Sequence, residues 1–191
     1  MTKYYFLAGF LSISCGGNEN HTNLENNITW VTDADYIDVG ETADIGNASK
    51  YGSYLHTLRF FPKPLNKSCY QLPVTPDVPY LLRLWFGVGN YTGFQTLPSF
   101  QISIETLGLL FSDTINITFH EAFYYEYLSV SSVRVLYVCF IRTSEHDDPF
   151  IAGIELRTLQ DGMYGQLKPG IISPQPDFFN IGGNSVLRCT Y

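Results

Sequence analysis

The alternation of apolar and polar residues along several short segments is the feature that most constrains the fold of this chain. Phe100, Ile102 and Ile104 alternate with polar residues, and the segment 114–119 repeats the pattern. A period of two residues is typical of a half-buried β-strand, because successive side chains of a strand point to opposite faces. The pattern therefore predicts strands that pack one face on a core.

Two further segments, 81–88 and 133–141, are apolar on both faces and predict central strands. Proline- and glycine-rich turns separate the predicted strands, for instance at 62–64, 76–79 and 87–93. Short strands divided by such turns predict an all-β fold, an antiparallel β-sandwich or jelly roll. One segment departs from this pattern. Residues 118–121 resemble a capping box, and near-helical spacing up to Tyr127 predicts a short helix.

Charged residues are sparse, and acidic ones outnumber basic ones, which limits the classes of partner that the chain can bind. They make up 15% of the chain, and the net charge is −7. Because no Lys/Arg cluster could neutralise phosphates, nucleic acid is excluded as a partner. The longest apolar stretch, residues 4–11, is far shorter than the roughly 20 residues that span a bilayer, so no membrane-spanning segment is expected. That stretch fits either a stunted signal peptide or a first strand.

Six Asn-x-Ser/Thr sequons indicate a protein of the secretory pathway. They are several times more frequent than 11 Asn and 29 Ser or Thr would give in random order. The predicted glycosylation sites are Asn20, Asn27, Asn47, Asn66, Asn90 and Asn116. Glycans at these sites would supply the solubility that the sparse charged side chains do not.

The four cysteines agree with an extracellular location, because none is arranged as a C-x-x-C pair or at zinc-binding spacing. The predicted disulfide cysteines are Cys15, Cys69, Cys139 and Cys189. Four cysteines allow three full pairings, and the sequence does not choose among them. The alternative is four buried thiols in a cytosolic protein.

The sequence contains none of the common motifs that hold catalytic residues at a fixed spacing. It has no H-E-x-x-H motif, no G-x-S-x-G elbow and no phosphate-binding glycine loop between a strand and a helix. Residues 145–148 lack the spacing of a cation loop and are interpreted as a solvated turn. Asp33 and Asp35 could act as paired carboxylates on one face of a strand, or could occupy a turn or strand end. The sequence therefore predicts no enzyme, no metal site and no cofactor.

Aromatic side chains offer the other route to a site, since the chain holds 14 Tyr, 14 Phe and 2 Trp. Rings stack on the C–H faces of sugars while nearby polar groups bind hydroxyls. Phe86, Tyr91 and Phe94 lie in or beside a glycine-rich loop that follows a strand, where exposure costs little. They are predicted ligand contacts, with Asp33 or Asp35 supplying polar contacts.

Several segments, taken in order, match a known pattern of conserved motifs. They are FLSISCG at 10–16, ITW and DADYI within 28–37, LRFFP at 58–62, SCYQL at 68–72, YLLR and GNYTG within 80–93, VCF at 138–140, and PFIAGIELR at 149–157. Together they resemble the malectin-like ectodomains of plant receptor-like kinases. Their order and spacing agree with the family from about residue 9 to residue 160.

The resemblance implies two tandem jelly-roll lobes outside the plasma membrane, often followed by leucine-rich repeats, one membrane helix and a kinase. Residues 1–8 would be an N-terminal remnant or truncated signal segment, 9–165 the first malectin-like lobe, and 166–191 a linker and the start of a second lobe.

The implied function is non-catalytic recognition of a cell-wall saccharide or a secreted peptide, with a co-receptor as a further partner. The protein would lie at the extracellular face of the plasma membrane or be secreted. The alternatives are an accessory domain of a carbohydrate-active enzyme and a secreted structural protein of the cell wall.

Overall fold

The computed structural model describes residues 9–24, 26–45, 52, 55–87, 97–106, 109–117, 122–159 and 172–174. These residues form fourteen strands and no α-helix. In chain order they are β1 (Phe10–Ser14), β2 (His21–Asn23), β3 (Ile28–Thr32), β4 (Glu41–Asp44), β5 (Thr57–Phe60), β6 (Lys67–Pro73), β7 (Pro79–Phe86), β8 (Ser99–Thr106), β9 (Leu109–Asn116), β10 (Phe123–Val130), β11 (Val135–Arg142), β12 (Phe150–Ile151), β13 (Gly153–Thr158) and β14 (Ile172–Pro174). The predicted all-β class is confirmed.

The strands form three sheets around one core. The largest has seven strands in the order β14-β10-β7-β13-β1-β3-β2, the second has four in the order β6-β11-β8-β9, and the third has three in the order β12-β5-β4. Neighbouring strands are antiparallel except for β1 and β3, which run parallel. Rings from the two larger sheets meet in the core, as where Phe86 of β7 lies 6.0 Å from Phe100 of β8, centroid to centroid. The predicted antiparallel sandwich is confirmed.

The predicted alternation decides which side chains reach that core. Phe100, Ile102 and Ile104 of β8 are buried, as are Ile115 and Ile117 at the end of β9. The intervening Asn116 is exposed. Both alternating strands therefore place their faces as predicted.

The two segments predicted to be central strands occupy central positions. Strand β7 lies between β10 and β13, and β11 lies between β6 and β8. The outer face of β11 is less buried than predicted, because Tyr137 is 39% exposed on the outer face of the four-stranded sheet.

The predicted helix near residue 120 is wrong over the part that the structure describes. Residues 123–130 form β10, which pairs with β7 from Phe123 opposite Phe86 to Val130 opposite Pro79. Phe123, Tyr125 and Tyr127 also have a period of two, and pairing with the full length of β7 selects that period over the helical one. Residues 118–121 lie outside the described residues.

One disulfide joins neighbouring strands of the four-stranded sheet, Cys69 of β6 to Cys139 of β11. Cys15 is a buried thiol that bonds neither of these two cysteines, and its disulfide with Cys189 stays a prediction. Cys189 lies outside the described residues, as do residues 1–8 and most of the predicted linker. Within that linker, β14 pairs with β10 at the edge of the seven-stranded sheet.

Candidate functional site

The structure places Phe86 in the core and not at a ligand surface. Its ring is fully buried and lies 5.7 Å from Phe123 and 5.9 Å from Phe150, centroid to centroid. Side chains along β7 alternate, so that Tyr80, Leu82, Leu84 and Phe86 point inward. Phe86 is therefore wrong as a predicted ligand contact.

Asp33 is also buried, and it is bound by the protein itself. Arg59 donates from Nε to Asp33 Oδ2 at 2.6 Å and from Nη2 to Oδ1 at 2.8 Å. Tyr70 Oη donates to Oδ2 at 2.8 Å, and the Gly16 amide donates to the same oxygen at 2.9 Å. Four donated hydrogen bonds occupy this carboxylate, so it does not face a ligand. Asp33 is wrong as a predicted polar contact.

Asp35 lies in the turn that follows β3, and it is exposed. The Asp33 carbonyl accepts hydrogen bonds from the Tyr36 and Ile37 amides, which closes this turn. The two carboxylates therefore do not share a strand face, as the turn interpretation predicted. Asp35 stays a predicted contact, and Tyr91 and Phe94 lie outside the described residues.

Burial fixes the protonation of the groups around Asp33. Burial, followed by the negative charge of Asp33, raises the pKa of the Cys15 thiol well above its usual range. Burial and the nearby Cys15 and Asp33 likewise raise the pKa of Tyr70. The hydrogen bonds to Asp33 raise the pKa of Arg59 despite its burial. With these raised pKa values, Cys15, Tyr70 and Arg59 stay protonated near neutral pH, so they are suited to a structural role.

A second set of charged side chains runs across the outer face of the seven-stranded sheet. Glu126 of β10, Arg83 of β7 and Glu155 of β13 lie opposite one another in register. Arg83 Nε donates to Glu126 Oε1 at 2.6 Å, and Arg83 Nη1 lies 3.6 Å from Glu155 Oε1. Arg157 forms an ion pair with Glu155. We call these four residues the charged ladder, in which two arginines balance two glutamates.

Two aromatic rings lie beside this ladder, and we call Trp85 and Tyr124 the ring pair. They face each other across β7 and β10, with centroids 4.7 Å apart and planes inclined by 59°. The Arg83 guanidinium carbon lies 4.5 Å from the Tyr124 centroid, and Trp85 Nε1 donates to Glu155 Oε1 at 2.7 Å. Tyr124 is 37% exposed. The ladder thus holds a partly exposed aromatic surface in a fixed position.

This arrangement can bind a ligand by stacking and hydrogen bonding. A ring pair fixed by neighbouring side chains loses little conformational freedom when a ligand packs on it. Among the described residues there is no group of three or more His, Cys, Asp or Glu side chains that could hold a metal ion. The same part of the chain contains no helix with the length and apolar character that a membrane span requires.

The ring pair was missed in the sequence for two identifiable reasons. Trp85 lies in a segment interpreted as apolar on both faces, although Arg83 two positions earlier marks an outer face that is partly polar. Tyr124 and Glu126 lie in the segment interpreted as a helix. A period of two applied to 123–130 would have placed both side chains on the outer face beside Trp85.

Four of the six predicted glycosylation sites lie in the described part of the chain. Asn20, Asn27, Asn66 and Asn116 are all exposed. Asn47 and Asn90 lie outside the described residues. Exposure is the property that an attached glycan requires, and glycosylation at these sites stays a prediction.

Comparison with known families decides the relationship that the sequence segments indicated. Residues 13–173 match the family model of the malectin-like domain. The chain belongs to the malectin-like family. Members of this family are non-catalytic binding modules, and the resemblance stated from the sequence is confirmed.

Several relatives of this malectin-like chain are plant receptor-like kinases. The chain is 28% identical over 185 residues to a leucine-rich repeat receptor-like serine/threonine-protein kinase of Arabidopsis thaliana, a match that covers 94% of this chain and 21% of that protein. The chain spans 17% to 32% of the length of the first eight curated relatives it matches.

Solved malectin-like ectodomains share its fold. The extracellular domain of ANXUR2 from Arabidopsis thaliana matches with a TM-score of 0.61 and 25% identity, over 78% of this chain and 41% of that one. A chain of the complex of the plant peptide RALF23 with FER and LLG2 matches with a TM-score of 0.62 and 18% identity, over 81% of this chain and 40% of that one. This second likeness shows the fold alone.

Proposed function

We propose that this chain is a non-catalytic ligand-recognition lobe of a plant receptor-like kinase, exposed at the extracellular face of the plasma membrane. The observation that carries the proposal is the ring pair, a partly exposed aromatic surface fixed by the charged ladder. Family membership and the kinase relatives support the extracellular location. The ligand that we propose is a neutral cell-wall saccharide.

Charge balance within the ladder favours a neutral ligand. Each arginine of the ladder is paired with a glutamate of the ladder, so no excess charge selects an ionic partner. The partly exposed Tyr124 ring suits a sugar, whose C–H faces stack on aromatic rings. Glu126 and Glu155 are buried within the ladder, where they bind Arg83 and Trp85, so they position the ring pair and do not bind the sugar hydroxyls. Tyr91 and Phe94, in the segment that follows β7, remain proposed contacts of the same ligand.

Replacement of Tyr124 by alanine tests this proposal. A ring stacked on a sugar contributes on the order of 1 kcal/mol beyond burial, so the loss should weaken binding about fivefold or more. Affinity for soluble neutral cell-wall polysaccharides is measured by calorimetry, with product analysis to detect hydrolysis. Tyr137→Ala is the matched control, because Tyr137 is exposed to nearly the same extent but lies on the four-stranded sheet. Equal affinity of the two variants would contradict the proposal.

A secreted peptide is the second candidate ligand. The observation in its favour is the complex of RALF23 with FER and LLG2, whose FER-type fold this chain shares. Peptide binding that depends on Tyr124, with no saccharide binding, would select this candidate and would point to a co-receptor as a further partner. Hydrolysis of the polysaccharide would instead favour a carbohydrate-active enzyme over a recognition lobe or an accessory domain.

We also propose that residues 9–165 form a first lobe and that 166–191 are a linker and the start of a second lobe. The similarity between the segments Ile13–Gly17 and Phe179–Gly183 supports a repeated unit. Reading the transcript beyond codon 191 tests this, since a second lobe, a membrane helix and a kinase should follow. A stop codon there would favour a secreted structural protein of the cell wall.

A further inference from the structure

The sequons of the described residues lie at the edges of the sheets. Asn20 immediately precedes β2, the last strand of the seven-stranded sheet, and Asn27 ends the turn that joins β2 to β3. Asn116 is the last residue of β9, an edge of the four-stranded sheet. Asn66 immediately precedes β6, the opposite edge of that sheet. The predicted glycans therefore lie where association between molecules could begin, since an edge strand can pair with another chain.

The two most exposed large apolar side chains among the described residues lie at these same edges. Leu24, directly after β2, is 93% exposed, and Leu110 of β9 is 67% exposed. An edge strand with an exposed leucine favours association between molecules. Strand β2 carries no charged side chain that would oppose such pairing.

The geometry of Asn20 suits an attached glycan. Its Oδ1 accepts a hydrogen bond from the Thr32 amide at 2.9 Å, which holds the side chain against the end of β3. Because a backbone amide can only donate, this bond uses the oxygen and leaves Nδ2, the atom that carries a glycan. Asn116 Oδ1 accepts from Ser99 Oγ at 2.7 Å in the same way.

Asn27 lies on the same hairpin with a backbone φ of 55°. Asparagine tolerates this left-handed conformation better than most residues. The hydroxyls of both sequons, Thr22 and Thr29, are exposed and lie 3.0 Å apart across β2 and β3. The two sequons therefore occupy one short surface that includes the edge of β2.

We propose that N-linked glycans on Asn20, Asn27 and Asn116 cover the edges of β2 and β9 that no other described strand pairs with, and keep the lobe from associating through them. The glycan comes from a lipid-linked pyrophosphate donor. The asparagine Nδ2 forms a bond to the first sugar and loses a proton, while the sugar–phosphate bond breaks and the lipid pyrophosphate leaves. The attached sugars then exclude a second chain from the edge by their volume.

Strand β6 provides an internal comparison, because its edge is protected by the protein. The Gln71 amide donates to the Tyr36 carbonyl at 3.0 Å, so part of that edge is already paired. Lys67 adds an exposed charge at the start of the strand. The glycan on Asn66 should therefore be dispensable for the monomeric state.

Sequon variants secreted from a eukaryotic host test the proposal. Thr22→Ala, Thr29→Ala and Thr118→Ala together remove the three sequons, whereas serine at the same positions keeps them. Mass spectrometry confirms site occupancy, and light scattering over a series of concentrations measures association. We expect the serine variant and Asn66→Gln to stay monomeric and the alanine variant to associate.

Lysine at the two exposed leucines distinguishes edge pairing from a general loss of solubility. Leu24→Lys and Leu110→Lys, added to the alanine variant, should restore the monomer, because charge at an edge opposes pairing. Thermal unfolding verifies that each variant is folded. A monomeric alanine variant, failure of the lysines to restore the monomer, or unmodified asparagines in the serine variant would each overturn the proposal.

Discussion

At the residue scale, Asp33 shows how a side chain with catalytic chemistry can serve the fold instead. It follows β3 in the sequence, where a pair of carboxylates suggested a site, yet its carboxylate accepts hydrogen bonds from Arg59, Tyr70 and Gly16. A buried ion pair is costly to break, because the remaining partner stays charged and desolvated. Asp33 therefore fixes the turn after β3 to β5 and β6.

Replacement of Asp33 by asparagine should lower the free energy of unfolding by about 3 kcal/mol or more. The reason is that Arg59, whose side chain is largely buried, loses the charge that balances it. Denaturant unfolding measures the effect. Asp35→Asn is the control, since that exposed side chain should change stability by less than about 0.5 kcal/mol. Similar losses in the two variants would show that the ion pair does not stabilise the fold.

His21 gives the fold a dependence on pH. Burial, followed by the proximity of His56, lowers the pKa of His21 below its usual 6.5. A histidine whose pKa is lower in the folded state binds more protons when unfolded, so stability is full above the unfolded pKa of 6.5 and is lost as the pH falls through the folded pKa. Glu19 opposes this shift only in part.

The variant His21→Gln should therefore retain more of its stability between neutral and mildly acidic pH than the unmodified chain. Thermal unfolding across that range measures the slope. His146→Gln serves as the control, because His146 is exposed. Parallel slopes for the unmodified chain and His21→Gln would assign the acid sensitivity to other groups.

At the element scale, the sequence predicted the strands whose burial is local and missed those whose pairing is distant. Strand β8 is fixed by its own alternation, since each apolar residue needs the core and each polar residue needs water. Residues 123–130 carry a period of two and a near-helical period at once, and only β7, about 40 residues earlier, selects the strand. The ring pair depends on that pairing, so it could not be predicted before β10 was identified.

The disulfide is an element-scale constraint because it joins strands that are 70 residues apart in the sequence. In the chain-entropy description, closing a loop of that length stabilises the fold by about 4 kcal/mol. Reducing agent should therefore lower the melting temperature of the unmodified chain and of Cys15→Ala alike. It should leave Cys69→Ala/Cys139→Ala unaffected. Sensitivity that persists in the double variant would place the stabilising bond elsewhere.

At the scale of the whole molecule, the surface is divided by function. The outer face of the seven-stranded sheet presents the ring pair, and the sequons of the described residues lie at the strand edges. Glycans in those positions would restrict contact at the edges while the Tyr124 ring stays accessible. Glycans in those positions would also contribute to the solubility of a chain in which only 15% of residues are charged.

Solubility near the isoelectric point tests whether glycans help to keep the chain in solution. The calculated isoelectric point is about 4.9, where the net charge of −7 at pH 7 has been neutralised by protonation of carboxylates. Charge repulsion then no longer opposes association, so glycans become the main protection. Enzymatically deglycosylated protein should precipitate near this pH while the glycosylated protein stays in solution. At pH 7 both forms should stay in solution, the deglycosylated form as soluble associated species, and light scattering during a pH titration distinguishes this association from precipitation. Equal precipitation of both forms would show that charge alone controls solubility.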